Sequence, residues 1–163
     1  MYAHTPSNKN LARAPVIIGF RHFITIPNAY FGLNLHSPMA VKKTKPASSK
    51  KILEAITEGL LELKAHEGIE IDLRKLPNVF ADYFVIAHGT SHTHVSAIAE
   101  SIERAVLSRC NMKPAHIEGL RNSQWVLMDF TDVVVHIFDE PTRRLFALEE
   151  LWNDAKTRKI EDI

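Results

Sequence analysis

The sequence is short of the residues that would make it a disulfide scaffold, a cysteine-bound zinc protein or a membrane protein. Its single cysteine, Cys110, excludes an internal disulfide and a cage of cysteine ligands around zinc. One thiol fits a reducing compartment. No run of about 18 apolar residues occurs, which excludes a helical membrane span. The six glycines never cluster into a phosphate-binding loop, and no nucleophile elbow or catalytic triad signature is present. Acidic residues are missing from residues 1–50, which carry seven basic ones: Lys9, Arg13, Arg21, Lys42, Lys43, Lys45 and Lys50. The whole chain has 20 Lys and Arg against 19 Asp and Glu. Residues 51–163 therefore hold 13 basic and 19 acidic side chains, so a net +1 conceals +7 followed by −6. An acidic folded part repels phosphates and is a poor general binder of nucleic acid. It suits a basic protein. The 163 residues are enough for one domain with a core of useful size.

The composition divides the chain into a tail and one domain. Pro6, Pro15, Pro27, Pro38 and Pro46 interrupt every apolar stretch of the first part. Val16-Ile17-Ile18 and the Ile24, Ile26 pair are too short for a secretory signal. We expect residues 1–48 to be a basic, largely disordered N-terminal extension. An arginine-bearing, acid-free segment also has the composition of an organellar transit peptide. The plainer reading is that Met39-Ala40-Val41-Lys42-Lys43 is a natural start, with residues 1–38 an upstream extension. The first reading places the protein in an organelle and the second in the cytoplasm.

The folded domain is expected over residues 49–158. Ile52, Leu53, Ile56, Leu60 and Leu63 recur at helical spacing, with Ser48 or Ser49 to cap the start and Gly68 after the end. Ile69, Ile71 and Leu73 alternate with charged residues, as in a half-buried strand. Tyr83–Ala87 reads as a central strand buried on both faces. A helix capped by Ser91 follows, with Val95, Ile98, Ala99, Ile102, Ala105 and Val106 inward. Residues 115–119 make a short strand. Trp125–Phe130 and Val133–Phe138 make a hairpin turned by Thr131-Asp132. Pro141 opens a last helix carrying Leu145, Phe146, Leu148, Leu151 and Trp152 as apolar positions. The order α-β-β-α-β-β-β-α predicts an α/β fold, a mixed sheet flanked by helices.

Candidate chemistry is sparse. His92 and His94 stand at a strand-to-helix turn, but residues two apart on a helix do not face the same way, so a solvated helix start outweighs a metal site. Gly89-Thr90-Ser91 resembles the start of a nucleotidyltransferase active site. That chemistry needs two carboxylates one residue apart on a following strand to hold Mg²⁺. Glu70 and Asp72 have the spacing but lie upstream. Asp132 and His136 are four residues apart, roughly 13 Å along a strand, too far for a dyad. Cys110 reads as a partly buried small hydrophobe. Trp152 reads as core. Trp125, opening a strand after the polar loop 121–124, is divided evenly between core and interface anchor.

Five blocks of sequence, in order across about residues 50–155, resemble the ribosomal silencing factor family, also called Iojap-like proteins. They are Asp82–Ala87; Gly89-Thr90-Ser91 with His94-Val95 and Ala97-Ile98-Ala99; Glu118-Gly119; Trp125–Asp129 with Asp132–Phe138; and Arg144, Phe146, Leu148-Glu149, Leu151-Trp152. The resemblance implies a nucleotidyltransferase-like fold without catalysis or cofactor. It implies a translational repressor that binds ribosomal protein L-fourteen on the large ribosomal subunit and blocks subunit joining. Partner-binding residues carried over by position are Trp125, Asp129 and Asp132, with Glu118 nearby. Homodimers occur in the family. The sequence departs from the family pattern at Thr131, where glycine is common in the hairpin turn, and at Ala81, where threonine often precedes the aspartate.

Overall fold

The computed structural model describes residues 47–161, and the expectations for residues 1–46 lie outside them. Helix α1 (Ser49–Glu62) starts where the Ser48 side chain accepts a hydrogen bond from the Lys51 N–H. It buries Ile52, Leu53, Ile56 and Leu60, the predicted stripe. Its end differs from the expectation. Lys64 adopts φ 52° while Lys64 N donates to Leu61 O and Ala65 N to Leu60 O. These two bonds form a Schellman ending, in which lysine takes the left-handed position that glycine usually fills. Gly68 lies inside strand β1 (His66–Asp72), within the bulge that breaks the register between His66 and Ile69.

Strand β2 (Tyr83–Gly89) is buried throughout apart from Tyr83. Helix α2 (His92–Cys110) has Ser91 as its N-cap, accepting from His94 N–H, and closes on Asn111 at φ 50°. Strands β3 (His116–Glu118), β4 (Trp125–Asp129) and β5 (Val133–Asp139) follow. The sheet order is β3-β4-β5-β2-β1-β6. Among the described residues only the β2–β5 pair is parallel, with α2 in the connection between them; the other four pairs are antiparallel. A mixed sheet flanked by helices is therefore what the chain forms.

Alternation along the central strands makes two cores. On one face Val85, Ala87, Val126, Met128, Val133, Val135 and Ile137 pack under α1 and α2. The helices meet at Gly59, where a Cβ would stand 2.7 Å from the Ile102 Cα. On the other face Phe84, Ile86, Val134 and Phe138 pack with Leu148, and half-buried Trp125, Leu127 and Trp152 adjoin them.

The C-terminal region corrects two expectations. The predicted last helix is broken: α3 (Glu140–Phe146) stops at Ala147, φ 42°, and a 3₁₀ turn (Leu148–Trp152) continues in a new direction. Of its predicted apolar positions only Leu148 is buried, while Leu145 is 80% exposed, Leu151 60% and Phe146 40%. A sixth strand, β6 (Lys156–Lys159), pairs with β1 and has no apolar alternation that would reveal it. No helix among the described residues is long and apolar enough to cross a membrane.

A candidate docking face

The second sheet face is built from side chains of matching strand parity. On β4, Trp125, Leu127 and Asp129 share this face. Across the ladder Glu118 pairs with Leu127 and His116 with Asp129, while Trp125 pairs with Phe138 and Leu127 with His136. The structure thus brings Trp125, Asp129 and Glu118 onto one surface. Asp132 stands apart, exposed in the turn, where its backbone oxygen accepts from the N–H groups of Asp82 and Tyr83.

Trp125 is half-buried. Its ring stacks on Phe138 at 5.0 Å and meets Phe146 of α3 at 5.0 Å. Its indole N–H donates to Nδ1 of His136 at 3.3 Å. The loop before it is drawn tight: Ser123 N donates to Gly119 O, and the buried Ser123 hydroxyl donates to Leu120 O. Gly119, at φ 84°, is obligatory there, because a Cβ would fall 1.8 Å from the Trp125 carbonyl oxygen. The Glu118-Gly119 pair therefore shapes the approach to Trp125.

The other two carboxylates differ in freedom. Glu118 is exposed and unengaged among the described hydrogen bonds, whereas Asp129 is half-buried and accepts from the Thr131 N–H at 2.7 Å. Asp129 thus also shapes its turn. The hairpin expected from Thr131-Asp132 forms, but with Thr131 at φ 73° and Asp132 N donating to Phe130 O, a γ-turn.

His136 is 3% exposed, and burial pushes its pKa down to about 4. Sequence spacing placed it as a face or core histidine but did not show its bond to Trp125, which only the β4–β5 register creates. The exposure of Leu145, Phe146 and Leu151, of which Phe146 touches Trp125, was likewise not foreseen. No local signal marks the left-handed Ala147 that turns them outward.

The carboxyl ends of the parallel strands, where open α/β sheets commonly hold ligands, are occupied by side chains. Arg143, buried, bonds Glu149 at 2.7 Å and the His88 Nδ1 at 3.0 Å. Burial, followed by the Arg143 charge, lowers the His88 pKa. Burial raises the Asp139 pKa, yet hydrogen bonds from Thr142 and His92 hold the carboxyl below its ordinary range. His94 is bonded at both nitrogens, to the Thr90 N–H and the Leu63 carbonyl. Glu70 and Asp72, the spaced carboxylates, are paired with Arg158 and Arg74. Cys110 is half-buried, which pushes its thiol up. Among the described residues no group of three or more His, Cys, Asp or Glu is placed to hold a metal ion.

Comparison with known proteins gives concordant matches. The family model described as ribosomal silencing factor during starvation matches residues 46–163. Ribosomal silencing factor RsfS of Halalkalibacterium halodurans is 32% identical over 116 residues, 71% of this chain and 97% of that protein. The mouse protein named mitochondrial assembly of ribosomal large subunit protein 1 is 35% identical over 75 residues, 45% of this chain and 33% of that protein. The crystal structure of a Chromobacterium violaceum protein superposes with a TM-score of 0.62 at 29% identity, covering 66% of this chain and 88% of that one.

Proposed function

The chain belongs to the ribosomal silencing factor family, and on that premise we propose that it docks on the large ribosomal subunit and blocks joining of the small one. The observation that carries this reading is Trp125: a half-buried indole on the second sheet face, against the partly exposed Phe146, with Glu118 and Asp129 on the same surface. An aromatic ring seated among other rings supplies desolvated contact area at little entropic cost, which is how interface hot spots are built. Carboxylates at the rim steer approach to a basic partner. A basic ribosomal protein, L-fourteen by the family resemblance, is the proposed contact, with Asp132 at the edge of the same footprint. The reading needs neither cofactor nor catalysis. It is supported by side chains filling the carboxyl ends of the parallel strands and by arginines pairing the Glu70 and Asp72 carboxylates.

Sucrose-gradient sedimentation of the full chain with purified subunits tests it. The protein should travel with large subunits and reduce their joining to small ones. Trp125→Ala should weaken that binding by about 2 kcal/mol, roughly thirtyfold, while circular dichroism stays that of a folded protein. A folded Trp125→Ala variant that still sediments with large subunits and still blocks joining would remove the proposed interface. Magnesium-dependent nucleotide turnover lost on changing Asp129 or Asp132 would instead favour an enzyme. A second reading, assembly of an organellar large subunit, is favoured by the name of the mouse relative. It uses the same face and is distinguished by the compartment in which the chain is found.

A further inference from the structure

A histidine sealed in an apolar core is poorly placed there unless its ring nitrogens have partners. His136 meets this condition by half. The indole N–H of Trp125 can only donate, so the His136 Nδ1 that receives it at 3.3 Å carries no proton. The proton of the neutral ring then resides on Nε2, which is buried without a hydrogen-bond partner among the described residues. The surroundings of the ring are Phe84, edge-on at 5.0 Å, Phe138 at 6.3 Å and Trp125 at 5.8 Å. Phenylalanine would fit this aromatic nest in similar volume and leave no donor orphaned. What histidine adds is one acceptor, aimed at one atom of Trp125.

That atom matters because of how the indole is otherwise held. Phe138 stacks on it with 26° between the planes, and Phe146 touches it at 46°. Face contacts of this kind fix the plane of a ring. They leave open the half-turn about the Cβ–Cγ bond, which keeps the plane and exchanges the two edges of the indole. A hydrogen bond to Nε1 is directional and removes that freedom. It sets which edge of the indole lies inward and which is left at the surface.

We propose that His136 is a positioning residue for docking: buried one layer beneath the surface, it locks the Trp125 indole in the orientation presented to the partner. The inference rests on the docking reading given above. Without the lock, Trp125 still occupies its place but must be ordered when the partner binds, and ordering a side chain at an interface weakens association.

Three variants of the full chain test it: His136→Phe, His136→Asn and Trp125→Phe. Trp125→Phe assigns which of the two indole N–H resonances belongs to Trp125 in a ¹H–¹⁵N spectrum. His136→Phe should melt no lower than the parent, move the Trp125 indole resonance upfield and speed its exchange with solvent. It should also weaken binding to purified large subunits about three- to tenfold, the range for ordering one side chain. His136→Asn puts an amide oxygen near the place of Nδ1 and should restore both the resonance and most of the binding. An unmoved indole resonance, or a folded His136→Phe variant that binds as the parent does, overturns the proposal. Trp125→Ala separates the two claims. If that variant binds fully, the docking reading fails, and the indole resonance alone then decides whether His136 orients the ring.

Discussion

Thr131 shows how one side chain is held where its chemistry is unfavourable. A β-branched residue at φ 73° in a γ-turn is strained, and such strain costs on the order of 1–3 kcal/mol. The Asp129 carboxylate accepting from its N–H helps to hold it there. Thr131→Gly relieves the strain but loosens the unfolded chain, so a net stabilisation of about 1 kcal/mol is expected in urea denaturation. Destabilisation would mean that the threonine side chain makes a compensating contact. His136 gives a pH dependence with a definite sign. Its folded pKa of about 4 lies below the ordinary 6.5. Above pH 6.5 the ring is neutral in both states and contributes no slope. As pH falls from 6.5 towards 4 the unfolded chain takes up a proton that the folded one refuses, and stability declines by about 3 kcal/mol in all. Denaturation of parent and His136→Phe across that window should show a shallower decline in the variant; equal slopes would mean that the histidine titrates normally in the fold.

At the scale of elements, the α1–α2 pair and the α3–3₁₀ unit are held by different means. The helices pack where Gly59 allows backbone approach to Ile102. Gly59→Ala gains helix propensity, but its methyl would overlap backbone that cannot swing aside. Overpacking of this kind costs about 1–3 kcal/mol, so thermal melts should fall by several degrees. An unchanged melting temperature would show that the two helices can slide apart. The α3–3₁₀ unit is instead pinned by Arg143, bonded at once to Glu149 within the unit and to His88 on β2. Leu145, Phe146 and Leu151 are left exposed, Phe146 against Trp125, where a continuous helix over residues 141–152 would have turned at least some of them to the core.

For the molecule as a whole the unequal charge of its two parts matters most. Residues 51–163 carry a net −6; Glu118 and Asp129 lie on the proposed docking face, and Asp132 is exposed in the turn beyond β4. Steering by such charges acts on the rate of encounter and is screened by salt. Glu118→Gln with Asp132→Asn should slow association with large subunits, flatten its salt dependence and leave dissociation nearly unchanged. Asp129 is excluded from that pair because it also supports the turn. Equal association rates across a salt series in parent and variant would show that charge steering plays no part.

Local pattern was enough for much of this fold. The helical stripe of α1, the Ser48 and Ser91 caps, the apolar run of β2 and the β4–β5 hairpin follow from periodicity and turn chemistry, which act over a few residues. Five spaced blocks also pointed to the family. Other features depend on partners distant in sequence. β6 is a strand because β1 offers it an edge, not because Lys156-Thr157-Arg158-Lys159 alternates. The last helix breaks at Ala147, a strong helix former; the Arg143–Glu149 pair spans that break, and Arg143 also bonds His88 on β2. Trp125 could be read equally as core or interface until the β4–β5 register set it against Phe138 and His136. Sequence determined which residues are apolar, capped or charged; which of them meet, and which atom of Trp125 is tied down, was decided by packing, because contact between elements is a property of the folded chain alone.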